Sequence, residues 1–377
     1  LSKFASRSGA VQTVLAFETS CDDTSVAVVE RDGRVRACLS AGQDLHHARF
    51  GGIVPEIASR NHTHHLLPLM EETLARAGVS FQDIDALAVT SRPGLVGSLL
   101  VGLMTVKGLS LASGKKFLGV NHLEGHLMAP FLYDDQYQPP DGFDFPFVAL
   151  AVSGGHTTLY HVPSFGQYQI LGRTRDDAAG EAFDKFAKRL GLGFPGGVRV
   201  DRLAAVGQAD RFSFPRAMLR EDHDDMSFSG LKSHAAREVE KLPEAQAAEL
   251  ARQAKDFLTS GSRDAKSGLL ADFCASFQAA VVDVLAARLE RAAERQGVHR
   301  IVLTGGVAAN SELRRRCETI ATRRGWTLAV PPLRYCTDNA AMIGLAAIIR
   351  LGRGETSPQS LSPQAKAPLD QEDRGMG

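Results

Sequence analysis

VLAFETSCDDTSVAVVE, residues 14–30, sets two apolar runs, Val14 to Phe17 and Val26 to Val29, on either side of a polar turn. The pattern predicts two buried strands joined tightly, with the acidic residues Asp22 and Asp23 left at the turn. The arrangement recurs. FVALAVSGGHTTLYHV, residues 147–162, runs an apolar strand into a small Gly-rich turn and out along a second strand. In RIVLTGGVAANSELRRRC, residues 300–317, a strand meets Gly305-Gly306 and gives way to a helix starting near Asn310. Gly-rich turns after strands present backbone N–H groups that bind phosphate oxygens well. None of these turns matches GxxxxGK[ST] or GxGxxG, so neither a P-loop nor a Rossmann site is supported.

Helical spacing fills the intervals. Leu66, Leu67, Met70, Leu74 and Ala77 keep it, as do Phe183, Phe186, Ala187 and Leu190. So do Phe273, Phe277, Val281, Val284 and Leu289, and residues 338–351 read as a helix with Asp338 at its cap. Strand, glycine turn and helix at both ends of the chain predict two α/β halves facing a cleft. The expected division is 14–138 for the first half, joined by a returning helix at 336–351, and 147–335 for the second. Residues 134–146, acidic and Pro-containing, read as the linker. Residues 241–268 read as a surface helix and loop inserted in the second half. The first 13 residues and the Ser/Pro/Gln-rich tail, 354–377, are expected to be disordered.

Composition narrows the function class. The 377 residues are 44% hydrophobic and 23% charged, ordinary for a globular protein and long enough for two cores. With 43 basic and 43 acidic residues, overall charge gives no argument for a nucleic-acid partner. Local basic clusters, Lys185/Lys188/Arg189 and Arg314/Arg315/Arg316, are the candidate phosphate contacts, against a reading as solvated helix faces. Five scattered cysteines without a CxxC pair argue against a disulfide framework or structural zinc and suit a reducing compartment, the cytoplasm or alternatively the mitochondrial matrix. The longest apolar stretch, Leu95 to Leu111, is broken by glycines and Lys107, so no membrane span is expected.

NHLEGH, residues 121–126, places His122 and His126 four apart, on one helix face and about 6 Å apart at Cβ. Two imidazoles so placed can share a cation, or be two satisfied histidines. The zincin motif HExxH is not met. Leu123 stands where the base would be, and Glu124 points roughly 100° further round the helix. Asp338, in CTDNAAM, is a candidate third ligand as well as a helix cap. His46, His47, His62, His64 and His65 lie in polar segments and are expected to face solvent.

Taken together, ETSCDDT at 18–24, GGIVPEIASRNH at 51–62, PGLVGSLLVG at 93–102, NHLEGH at 121–126, VSGGHT at 152–157, DDAAGEAFDK at 176–185, FPGG at 194–197, SFSGLK at 227–232, TGGVAAN at 304–310 and CTDN at 336–339 resemble the tRNA threonylcarbamoyladenosine transferase family, once labelled sialoglycoprotein endopeptidases. The resemblance runs from about Val14 to Arg350. Val198 departs from it, where many members carry Pro, and 241–268 is longer than usual.

The resemblance implies an α/β fold, the two-domain actin/Hsp70/sugar-kinase-like superfold. It implies one divalent metal ion, Fe(II) or Zn(II), on His122, His126 and Asp338. It places substrate contacts on Val152, Ser153, Gly154, Gly155 and His156, with further nucleotide contacts on Asp184, Gly197, Asp201 and Asn310. The implied reaction moves threonylcarbamoyl from L-threonylcarbamoyl-adenylate to the exocyclic amine of adenosine 37 in tRNA. Asp22 and Asp23 are candidates for assisting proton removal, and a Cys21 nucleophile is disfavoured because no partner base is visible. Bacterial members work with an inactive paralogue of the same fold and a small P-loop ATPase. Three rival readings stand beside this one. An actin-fold kinase has no purpose for the histidine pair, a non-enzymatic scaffold would lack metal ligands, and a metalloprotease is disfavoured by Leu123.

Overall fold

The computed structural model describes residues 11–371 apart from 44–46, 48–49, 51 and 262–263. Most of the N-terminal stretch, His46, Gly51 and residues 372–377 therefore lie outside the described residues. The chain divides into two compact units, Leu1–Asp141 with Pro331–Gly377, and Gly142–Val330. In chain order the first holds β1 (Thr13–Glu18), β2 (Thr24–Glu30), β3 (Val35–Ala41), α1 (Pro55–Ala77), β4 (Ala86–Arg92), α2 (Val96–Ser113), β5 (Lys116–Asn121) and α3 (His122–Met128). The second holds β6 (Phe147–Val152), β7 (Thr157–Ser164), β8 (Gln167–Arg173), α4 (Ala179–Arg189), α5 (Gly196–Ala204), α6 (Ser229–Glu240), α7 (Glu244–Thr259), α8 (Leu269–Gln296), β9 (Arg300–Thr304), α9 (Ser311–Arg324) and β10 (Thr327–Ala329). The chain then returns to the first unit with α10 (Leu333–Cys336) and α11 (Ala340–Gly352).

Each unit carries a sheet of one topology. The orders are β3-β2-β1-β4-β5 and β8-β7-β6-β9-β10. In both, the first three strands form an antiparallel meander and the last two run parallel to the first. Parallel strands need helical crossovers, which cover the sheet faces and bury the strands on both sides. Hence β1, β2, β4 and β6 are near-continuous apolar runs. Because β1, β4 and β5 point the same way, their C-terminal ends bring Glu18, Arg92 and Asn121 to one edge of the first sheet. Parallel β6 and β9 likewise bring the VSGGH and TGGVAAN turns to one edge of the second.

Glycines set how closely the helices approach. A Cβ on Gly102 of α2 would lie 2.4 Å from Thr19 Oγ1, and one on Gly344 of α11 would lie 2.8 Å from Val29. α2 and α11 can therefore sit directly on the sheet. By length and composition α2 and α8 are each apolar enough to cross a membrane, which the sequence reading did not anticipate. α8 is the buried core helix of its unit, and α2 lays Leu99, Leu103 and Val106 into the core of its own.

The tail corrects the sequence reading. Residues 355–369, expected to be disordered, lie along the first unit. Ser357 N–H donates to Phe117 O (2.9 Å), Gln364 N–H donates to Ser91 O (3.0 Å), and Leu369 is buried. Composition suggested disorder because the segment has few apolar residues of its own; its order comes from scattered hydrogen bonds to β4, β5 and the loop after β4, and from Leu361 packing over Gly119. In the second unit α7 occupies most of the expected insertion and buries Leu250, Ala254 and Phe257.

Candidate metal centre and donor-binding turns

α3 begins where β5 ends. Asn121 caps it, its side-chain oxygen accepting the Leu123 N–H at 2.9 Å. The helix is wholly buried, and Gly125 between the two histidines is what lets α11 cross it. A Cβ there would stand 2.9 Å from both Met342 and Ile343. That crossing delivers Asp338. Its Oδ1 lies 3.3 Å from His122 Nε2 and 3.2 Å from His126 Nε2, and the three ligand atoms fall within 4.8 Å of one another. The cap expected of Asp338 is made by its neighbour. Asn339 accepts the Met342 N–H at 3.0 Å, which leaves the Asp338 carboxylate for the histidines.

Glu18, which the sequence reading passed over, completes the centre. It is fully buried at the end of β1, with its Oε2 2.9 Å from His122 Nδ1. Thr90 Oγ1 donates to the same oxygen at 2.6 Å. A Glu18 carboxylate accepting from Nδ1–H turns Nε2 toward Asp338 and His126, where it carries a proton in the free site and would give it up to ligate a cation. Burial works to raise the Glu18 carboxyl, and the adjacent His122 outweighs it, holding it below its ordinary value. Burial likewise raises Asp338, yet His122 and His126 hold it well below. Burial disfavours the His122 proton, but Asp338 and Glu18 together keep its pKa well above the usual imidazole range. His126, where burial dominates, is shifted down. Two buried imidazoles and one carboxylate, converging on one point with one ring oriented from behind, fit a divalent cation.

The acidic turn lies at the same sheet edge. His62 was expected to face solvent and is instead buried, 2.7 Å from Thr24 Oγ1 and 3.0 Å from Cys21 O, pinning the turn that carries Asp22 and Asp23. His47 is buried as well, whereas His64 and His65 are exposed. The polar residues around these histidines hid a face of α1 that packs on β2. Burial and the neighbouring Asp22 push the Cys21 thiol well above its ordinary pKa, which disfavours it as a nucleophile.

Glu124, the residue a protease reading would need, is fastened elsewhere. It is buried with Arg350 Nη1 at 3.1 Å. Glu124→Ala should therefore cost about 3–5 kcal/mol of stability by stranding a buried charge. Denaturant unfolding of a variant that still retains metal checks this; unchanged stability contradicts it.

In the second unit Ser153 N–H donates to His156 O at 2.7 Å, closing the β6–β7 turn. Val152 is buried, whereas Gly154 and Gly155 are exposed, with open space where a Cβ would be. α4 reaches this turn through Gly180, whose Cβ would lie 2.6 Å from Ser153 O. Asp184 on α4 accepts the Gly196 N–H at 2.7 Å, which sets Gly197 beside it at the start of α5. Asp201 accepts from Ser311 N–H (3.1 Å) and Oγ (2.8 Å), and burial raises its pKa despite those bonds. Asn310 caps α9 through Leu313 N–H and donates to Gln278 Oε1 at 2.8 Å. Its amide is thus committed to the protein at both ends, and Gln278 joins the group as a residue unread in the sequence. The basic clusters are similarly engaged. Lys185 pairs with Asp177 and Glu181, Arg189 with Glu240, Arg315 with Glu312 and Arg316 with Asp283.

A family model described as tRNA N6-adenosine threonylcarbamoyltransferase matches residues 34–345. A protein of that name from Bdellovibrio bacteriovorus is 55% identical over 357 residues, spanning 95% of this chain and 98% of its own. Another, from Sorangium cellulosum, is 48% identical over 376 residues, spanning 97% and 99%. Among solved structures, full-length HypF in its phosphate- and nucleotide-bound form aligns with a TM-score of 0.55 at 12% identity, over 92% of this chain and 47% of that one. That likeness concerns the fold alone, and with the repeated sheet topology it identifies the actin/Hsp70/sugar-kinase-like superfold.

Proposed function

This chain belongs to the tRNA N6-adenosine threonylcarbamoyltransferase family. From that premise we propose that it transfers threonylcarbamoyl from L-threonylcarbamoyl-adenylate to the exocyclic amine of adenosine 37, in tRNAs reading codons that begin with adenine. The observation that carries the reading is the convergence of buried His122 and His126 on half-buried Asp338. Those three residues would hold one divalent ion, Fe(II) or Zn(II). When bound, such an ion polarises a coordinated carbonyl or phosphoryl oxygen as a Lewis acid.

The remaining chemistry belongs to the chain. The adenine amine nitrogen bonds to the carbamoyl carbon, the bond from that carbon to the phosphate oxygen breaks, and AMP leaves with the electron pair. AMP is a good leaving group, so no covalent enzyme intermediate is required, and positioning dominates. Glu18 fixes the His122 tautomer. Asp22 or Asp23, on the turn pinned by His62, takes the proton lost by the attacking amine. The exposed backbone of Gly154 and Gly155 admits the donor's phosphate or adenosine. Asp184 and Asp201 suit ribose hydroxyls. The target adenosine lies in a single-stranded loop, where no duplex need be opened.

In both basic clusters most charges pair with neighbouring carboxylates, so a tRNA phosphate bound there would compete with those exposed pairs. An exposed apolar stripe, Val96, Leu100 and Met104 at four-residue intervals on α2, supports a protein partner. We assign it to the inactive paralogue, with the small P-loop ATPase completing the assembly. Five free cysteines support a reducing compartment, the cytoplasm or alternatively the mitochondrial matrix.

Gly155→Val tests the donor turn. Gly155 has open space and no positive φ, so the protein should fold normally. The branched side chain should nevertheless weaken binding of a non-hydrolysable donor analogue by about tenfold or more, as expected for a lost 1.4 kcal/mol. Unchanged affinity by calorimetry would remove the turn from the donor site.

A further inference from the structure

The C-terminal segment is fastened at several points, and two of its attachments lead to the metal centre. Ser357 pairs with the open edge of β5, donating its N–H to Phe117 O and accepting the Gly119 N–H on its Oγ at 3.0 Å. Leu361 packs over Gly119, where a Cβ would stand 2.4 Å from its Cδ2, and the Leu361 carbonyl accepts from Lys107 Nζ. The segment then crosses the C-terminal ends of β4 and β5. Gln364 N–H donates to Ser91 O, and Ala365 O accepts the Gly94 N–H at 3.3 Å. Ala367 O accepts from Asn121 Nδ2 at 3.1 Å.

Asn121 is buried, and its two amide ends do different work. The oxygen caps α3, the helix of His122 and His126, and the nitrogen is held by the tail. The loop fastened at Ser91 and Gly94 leads to the same place. Leu95 N–H donates to Ser20 O at 2.8 Å, and Ser20 Oγ is 3.2 Å from His122 Nδ1. The tail therefore grips the supports of His122 from two sides while supplying no ligand.

We infer that residues 355–369 form a strap that preorganises the metal centre, with Asn121 as the positioning residue through which it acts. The inference rests on the metal reading of His122, His126 and Asp338. Its physical basis is that groups behind the ligands fix their orientation, and losing them weakens metal binding by about 10–100-fold.

Three variants test it. Asn121→Ser keeps a capping oxygen but loses the donor to Ala367. Leu361→Asp drives the strap off Gly119 without touching the centre. A chain ending at Gly354 removes the strap. Zn(II) affinity is measured by competition with a chromophoric chelator, alongside thermal unfolding of the metal-free proteins. The expected result is a loss of affinity of about tenfold or more in each folded variant, with metal-free Asn121→Ser unfolding close to wild type. If the shortened chain does not fold, the two point variants decide. Wild-type affinity in the folded variants overturns the strap. Failure of the wild-type protein itself to bind Zn(II) overturns the metal reading and the strap with it.

Discussion

His122→Ala should reduce metal affinity by more than about 100-fold, beyond the loss typical of an outer-shell partner, and should lower transfer activity in step. It should also destabilise the metal-free protein by about 3–5 kcal/mol, because Glu18 is left as a buried charge without its imidazole. His126→Ala separates the two effects. It removes a ligand of the same kind, but among the described residues His126 Nδ1 has no hydrogen-bond partner and no carboxylate stands behind it as Glu18 stands behind His122. Its metal loss should match that of His122→Ala, with a clearly smaller fall in metal-free stability. Elemental analysis and denaturant unfolding read the two quantities independently. Full metal content in both variants would place the ligands elsewhere.

Glu18→Ala should weaken metal binding by about 10–100-fold without removing any ligand. The substitution removes the carboxylate on which His122 Nδ1 and the Thr90 hydroxyl converge, leaving Nδ1 only the Ser20 hydroxyl at 3.2 Å. Glu18→Gln keeps an oxygen for Nδ1–H and should recover much of the affinity, which a purely space-filling role for Glu18 would not predict. Titration of the chelated proteins with Zn(II) checks the order wild type, Gln, Ala. Equal affinities across the three would remove Glu18 from the centre.

Much of the fold was legible because buried parallel strands leave apolar runs and the turns between elements leave glycines. The histidine pair was legible because both residues ride one short helix. What escaped depended on partners far along the chain. Glu18 meets His122 across 104 positions. Asp338 stood open between third ligand and cap; Asn339, which caps α11, leaves the Asp338 carboxylate to His126, 212 positions away. His62 read as solvated because its neighbours are polar, while its own side chain faces Thr24. The arginine run at 314–316 stood open between a phosphate patch and a solvated face, and the counter-charge of Arg316, Asp283, comes from α8, 33 positions earlier. The tail read as disordered because its order comes from scattered long-range hydrogen bonds, which leave no periodic pattern in sequence.

The central claim is that this chain carries out metal-dependent threonylcarbamoyl transfer to tRNA. The most direct test supplies L-threonylcarbamoyl-adenylate, labelled in its threonine, and unmodified tRNA to metal-stripped protein, with and without added Zn(II) or Fe(II). The paralogue and ATPase are present throughout, and His126→Ala runs in parallel. The account predicts label on the N6 of adenosine only in reloaded wild-type reactions, with His126→Ala near background at the same metal concentration. Full transfer by the stripped protein, or by His126→Ala, would contradict it.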